Sequence, residues 1–422
     1  MTSVERQLAV PVDAEEIPAL RRRITAVLIA GQILGGLGVA TGIALATVLA
    51  KQVSGTESLS APTATVTGTA VLSVPLAALM TARGRRPGLV LAYLIGASGA
   101  GVVVVAACLG SFPLLLLGMA GFGAASSANL QARFAAADLA EPQRRARAIS
   151  NVVWATTIGA VLGPNIAAPA GRSVSGLGIP EAAGPFLWAA GVFLLSALLV
   201  AVLLRPDPLL TARALAPVEE QSAQARSIRA GFAAVAASPR ARLALVTVAV
   251  SHTAMVSIMS MTPVDLGHHG ASIDLIGLVI SGHIAGMYAF SPLMGRLSDR
   301  LGRLSGIGLA VGLLACAALL AGTAGGSHGQ IAAGLFVLGL GWSSGLVSGS
   351  ALLTDSVPQA ARAAAQGVSD LTMNTAAGVG GATAGLVVAQ ASYGWLNLLA
   401  ACLLVPLGGL ALFTRRRGRS RR

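Results

Sequence analysis

Apolar runs separated by short polar breaks recur along the whole chain. A helix that crosses a bilayer needs about 20 mostly apolar residues. Runs of that kind fall near 24–50, 64–82, 88–108, 112–135, 148–171, 183–204, 243–262, 273–294, 304–323, 329–351, 363–390 and 394–413. The pattern predicts an all-α membrane protein with twelve transmembrane helices. The longest break, 205–242, follows the sixth run and is polar and basic (RPDPLLTARALAPVEEQSAQARSIR), as a linker between two halves should be. The expected organisation is a tail at 1–23, a six-helix bundle at 24–204, the linker at 205–242, a second six-helix bundle at 243–413 and a basic tail at 414–422. The first run is too long for a signal-peptide core and reads as a retained helix.

Composition strengthens this reading. Apolar residues make up 55% of the chain and charged residues only 11%, with a mean hydropathy of +0.77. So few charges cannot coat a water-soluble domain, whereas a bilayer requires this character. The net charge of +13 raises the question of nucleic acid. Most of its arginines, however, lie in short clusters between the apolar runs (Arg21 to Arg23, Arg83/Arg85/Arg86, Arg144/Arg145/Arg147, Arg296/Arg300/Arg303, and the tail from Arg415), without interleaved aromatic residues for stacking bases. No nucleic-acid partner is expected; the partners are the bilayer and a transported solute. With the N-terminus inside, every cluster falls in an inner loop, and the outer loops keep only Lys51 and Arg172. Both termini are then expected in the cytoplasm, with the protein in the cell (inner) membrane. Cys108, Cys316 and Cys402 stand alone in apolar runs, without metal or redox spacing. There is no nucleotide-binding loop, so neither an ATP-driven pump nor an enzyme is expected, and no cofactor is expected to be permanently bound.

The two halves repeat one another. GFGAASSANLQARFAAADLAEPQRRARA ends the fourth run and GLGWSSGLVSGSALLTDSVPQAARAAA the tenth. Each leads from small residues to an aspartate (Asp138, Asp355), then Pro-Gln, then arginine, Arg362 in the second copy. ALMTARGRR and GRLSDRLGR form a second pair, each between the second and third runs of its half. Two pseudo-symmetric six-helix bundles point to alternating access around a central site.

GRLSDRLGR closely resembles the loop signature of the major facilitator superfamily, G-x-L-x-D-R-x-G-R, on Gly295, Leu297, Asp299, Arg300, Gly302 and Arg303. The resemblance implies a gate in which a carboxylate at one helix end holds a facing helix through N–H groups or arginine. The first-half copy keeps Gly84, Arg85 and Arg86 but has Thr81 at the aspartate position, so the stronger clasp is expected in the second half. Asp138 and Asp355, at helix ends with arginine following, read first as gate ion pairs; proton coupling is the alternative. IGAVLGPNIAAPAG resembles the Gly-Pro motif of the superfamily's antiporters at Gly159, Gly163 and Pro164. Close helix packing is the plainer reading of that segment.

HTAMVSIMSM, in the seventh run, puts His252, Met255 and Met259 on one helical face. HIAGM, in the eighth, does the same for His283 and Met287. Met255 and His283 both fall near the midplane, about 18 Å and about 15 Å along their helices. Thioethers with neutral imidazole suit Cu(I). The spacing of Met255, Met259, His283 and Met287 on these two helices resembles the CcoA-like copper importers, and the resemblance implies a transported Cu ion. Related members carry riboflavin, so a small organic cargo or drug/proton antiport remains open. Trp154, Trp342, Tyr288 and Phe122 are aromatic residues for lining a cavity, and His252, Gln32, Asn129, Gln131, Asn165 and Asn374 are polar contacts at membrane depth. A membrane sensor that binds without transporting is the reading from another class.

Overall fold

A computed structural model of the chain describes residues 17–55, 60–215 and 228–419. Most of the expected N-terminal tail (1–16), part of the linker (216–227) and the last residues of the basic tail (420–422) lie outside the described residues. All regular structure among the described residues is helical, and twelve stretches are long and apolar enough to span a membrane.

Helix α1 (Ile17–Ala44) continues past a break at Leu45 as α2 (Ala46–Ser54). Then come α3 (Ser60–Arg83), α4 (Arg85–Leu109), α5 (Phe112–Asp138), α6 (Arg145–Ser173) and α7 (Gly184–Leu203). Two short helices, α8 (Pro208–Ala214) and α9 (Ile228–Ala237), occupy the segment expected as linker. The second set is α10 (Pro239–His268), α11 (Ile273–Ile284), α12 (Ser291–Leu301), α13 (Arg303–Gly322), α14 (His328–Ser356), α15 (Arg362–Gln390) and α16 (Tyr393–Arg419). A π turn at Ala285–Ala289 joins α11 and α12 into the eighth span. The seventh span starts at Pro239, earlier than the apolar pattern alone suggests. Ser238 caps it by accepting from the Ala241 N–H at 3.2 Å, and a proline in the first turn loses no hydrogen bond.

The residues gather into two compact units. Unit 1 contains Met1–Glu141, Ala155–Phe232 and Pro358–Leu371; unit 2 contains Pro142–Trp154, Ala233–Val357 and Thr372–Arg422. Each unit therefore includes the start of one helix from the other half of the sequence, α15 in unit 1 and α6 in unit 2. In unit 1 the core is aromatic: the Phe122 ring meets Phe186 at 5.5 Å and Phe193 at 5.3 Å. Phe122 is fully buried against Gly42, so it fills the core rather than lining a cavity. In unit 2 α14 packs on both α10 and α13. Exposed Val105, Leu117, Leu194, Leu195 and Leu198 are the surface that hydrocarbon covers.

The loops between the second and third spans of each half turn on one glycine, Gly84 at φ +95° and Gly302 at φ +89°. An L-residue with a side chain rarely takes that conformation, which explains why both copies of the motif carry glycine there.

Candidate transport site and gate

In unit 2 four of the candidate gate residues, Gly295, Asp299, Arg303 and Asp355, gather at the start of α6. Asp299, at the end of α12, accepts the backbone N–H groups of Ala146 at 3.2 Å and Arg147 at 3.0 Å, capping α6. An anion at those exposed donors is favoured by the helix dipole. Arg303 bonds Asp299 and also Asp355, at 3.1 Å, while Arg145 reaches the other Asp355 oxygen at 2.5 Å. The Pro142 carbonyl accepts from Arg303 at 2.5 Å. Gly295 lets α12 approach so closely that any Cβ there would collide with Ser150. Arg300 is exposed, outside this knot. Arg362, at the start of α15, bonds Gln359.

Unit 1 repeats the arrangement with a different cast. Arg85 occupies the place of Arg303 and pairs with Asp138 at two points, 2.8 Å and 3.2 Å, both side chains fully buried. Arg85 also donates to Gln131 at 3.0 Å and to Gln366 at the start of α15. The Thr81 hydroxyl donates to the Ala77 carbonyl of its own helix at 2.7 Å. The carboxylate missing from this loop is supplied from elsewhere: Asp207, after the sixth span, accepts the Arg86 N–H at 2.7 Å and caps α8 at Leu209 and Leu210. Two charged residues that the sequence reading did not single out complete the cluster. Arg133 on α5 donates to Asp370 on α15 at 2.7 Å, and Gln131 donates to the other Asp370 oxygen at 2.6 Å. Their signal was available as ionisable residues inside predicted spans.

The Gly-Pro segment is a packing device. A Cβ on Gly159 would sit 2.5 Å from the Gly36 backbone, and one on Gly163 2.5 Å from Ala40, so α6 lies directly on α1. Pro164 is exposed within α6.

Polar and aromatic groups collect near the middle of their spans. In unit 2 the Trp342 indole donates to His252 Nδ1 at 2.8 Å, and Tyr288 stands edge-on to Trp342 with centroids 5.5 Å apart. Because Nδ1 accepts, neutral His252 carries its hydrogen on Nε2. Trp154 is 38% exposed, and Asn374 is buried on α15. In unit 1 Gln32 donates to Thr156 at 2.8 Å, while its Oε1 is buried with no hydrogen-bond partner. Asn129 accepts from Tyr93 at 2.9 Å and packs on Gly35. Asn165 is exposed and bonds its own helix at the Val161 carbonyl, 2.7 Å. A cavity of about 670 Å³ in this unit lies elsewhere, at the arginine-bearing ends of α3 and α4, beside Arg83, Arg86, Val90 and Leu210.

The soft-ligand candidates are placed as follows. Met255 and Met287 are buried and Met259 is half-buried. His283 is fully buried; its Nδ1 lies 2.7 Å from the Leu335 carbonyl on α14, and its Nε2 has no hydrogen-bond partner. Gly339 of α14 sits directly against the backbone of His283 and Met287. The eighth span thus packs mainly on α14, and α11 has only a small interface with α10, which carries Met255 and Met259. Among the described residues, no three His, Cys, Asp or Glu side chains group as a metal site would require.

Twelve membrane-length helices, with a charged knot repeated after the second span of each half, define a multi-pass membrane protein. The Major Facilitator Superfamily model matches residues 27–268 and 243–422, and the chain belongs to that superfamily. It is a transporter rather than an enzyme. The chain is 37% identical over 395 residues to the uncharacterized MFS-type transporter YddS of Bacillus subtilis (strain 168), covering 92% of this chain and 90% of the relative. It is 30% identical over 347 residues to the riboflavin transporter RfnT of Brucella anthropi, covering 81% of this chain and 83% of the relative. In fold it matches the proton:xylose symporter XylE with a TM-score of 0.73 at 19% identity, over 94% of this chain and 96% of that one. These relatives do not place the chain in the CcoA-like copper-importer branch.

Proposed function

We propose that this chain carries a small, flat, hydrogen-bonding organic molecule across the cell membrane by alternating access, with riboflavin the first cargo to test. The observation that carries this reading is the Trp342–His252–Tyr288 cluster at midspan. Aromatic faces and edges stack on a heteroaromatic ring, and the His252 imidazole adds a polar group beside them. The likeness to a riboflavin transporter supports the same cargo class. The ties from Asp299 to the start of α6 are the contacts that must break and re-form in each cycle. The arginine distribution supports cytoplasmic termini.

A second reading, Cu(I) transport over Met255, Met259, His283 and Met287, rests on the buried, unpartnered His283 Nε2, a free donor of the kind a soft cation takes. Uptake into cells lacking their own riboflavin and copper carriers separates the two. Riboflavin is expected to accumulate, and Trp342→Ala to lower its uptake at least about tenfold, the equivalent of ~1.4 kcal/mol of lost stacking. Met255→Ala and His283→Ala are expected to leave riboflavin uptake unchanged. Full riboflavin uptake by Trp342→Ala would refute this site. Radiolabelled copper uptake that disappears in both Met255→Ala and His283→Ala would transfer the assignment to the metal.

A further inference from the structure

We propose that Asp370 is a proton-binding site of this carrier, with Arg133 its counter-ion; the inference rests on the chain being a transporter and not on riboflavin being the cargo. At about 1.5 Å per residue, Asp370 lies about 12 Å into α15 from Arg362. It is fully buried. An ionisable group at such depth is costly unless it is paired, and such groups mark ion pathways in membrane carriers.

Four charges share this cluster: Arg85, Asp138, Arg133 and Asp370. Asp138 is held at both oxygens by one guanidinium, that of Arg85. Asp370 takes an arginine bond, 2.7 Å from Arg133, and an amide bond, 2.6 Å from Gln131. Arg133 has further support that does not involve Asp370: it donates to the Leu130 carbonyl at 2.9 Å and lies 4.5 Å over the Phe134 ring. The cation can stay in place while Asp370 is neutral. α3 meets α15 where Gly367 stands against Ala77 and near the Ser73 carbonyl, and neither residue titrates. Arg133 and Asp138 from α5 and Arg85 from α4 are charged groups of this cluster, and α9, which carries Arg229, packs on α15 at Ala364.

The repeat shows that the gate does not need this pair. Counted from Pro142-Gln143 and Pro358-Gln359, the position matching Asp370 is Trp154; counted from Asp138 and Asp355, the position matching Arg133 is Ser350. The second-half knot closes without either charge. The additional pair in unit 1 answers a need other than closure, and reversible protonation meets it. A proton from water forms the Asp370 O–H, the cluster passes from net zero to one positive charge, and the Arg133 and Gln131 bonds to a carboxylate become bonds to a neutral acid. The start of α15 is then held less tightly to α5.

Infrared difference spectra of the purified protein in lipid vesicles, taken between alkaline and mildly acidic buffer in H2O and D2O, read a protonated carboxyl directly and need no cargo. Wild type is expected to show an isotope-sensitive carboxylic-acid C=O band that Asp370→Asn lacks and Asp138→Asn keeps; Asp370→Glu, the variant to use if the asparagine form does not fold, is expected to move the band in frequency. No band in wild type, or one that survives Asp370→Asn, would overturn the proposal, and loss in Asp138→Asn alone would give the proton to Asp138 instead. With riboflavin as probe, Asp370→Asn is expected to lose gradient-driven accumulation at least about tenfold, as removal of the coupling group demands, while vesicle-to-bath exchange persists. The expected infrared result with no riboflavin movement in any vesicle would overturn the cargo and leave the proton site standing.

Discussion

Gly302 shows how much one backbone angle can require. A Cβ there would meet open space, so a substitution is opposed only by the positive φ of +89°. Gly302→Ala is expected to cost about 1–3 kcal/mol of strain, read as a lower melting temperature of the solubilised protein. Asp299 is a different kind of test, because its oxygens take the N–H groups that open α6. Asp299→Asn removes the charge and sets an amide N–H2 against those donors. Maximal transport in vesicles is expected to change while the half-saturating cargo concentration stays put; an unaltered rate would free Asp299 from the gate. Both residues were legible in the sequence because the motif puts all their chemistry within one short loop. Asp207 was not: it serves the Arg86 N–H from 121 positions away, and no local pattern announces that.

Among the helices, the closest approaches are made by glycine. Gly159 holds α6 against the α1 backbone, so Gly159→Val must push two helices apart. Gly101, with nothing near its missing Cβ, is the matched control. Gly159→Val is expected to lower both melting temperature and transport, and Gly101→Ala to leave them unchanged; equal effects would mean that the contact does not matter. Helix periodicity found the spans but misread part of the eighth. It put His283 and Met287 four residues apart on a regular face, whereas a π turn occupies Ala285–Ala289 and changes the rotation after His283. That turn lies against Gly339 of α14, a tertiary contact that one-dimensional spacing cannot register.

For the chain as a whole, the count of spans and the place of the arginines were readable because a bilayer imposes length and charge asymmetry on any sequence that crosses it. The Arg133–Asp370 pair was not readable as a pair. Its members are 237 residues apart, and each alone is a charge in an apolar run. Orientation is open to direct measurement once the exposed Cys108, Cys316 and Cys402 are replaced. In that background, a maleimide that cannot cross membranes is expected to label Gly55→Cys in intact cells and Arg300→Cys only after permeabilisation; the reverse would invert the topology. The segment after the sixth span has a practical bearing of its own. Asp207 binds the entrance of α4, and Arg213 donates to the Thr81 carbonyl at 2.8 Å, so this stretch is fastened to the first half. Anyone dividing the gene to express the halves as separate polypeptides should cut beyond Ala214. A break at Leu204 would strip the amino-terminal fragment of the acid that its own loop lacks, and reassembly of a working carrier from the two pieces would suffer for it.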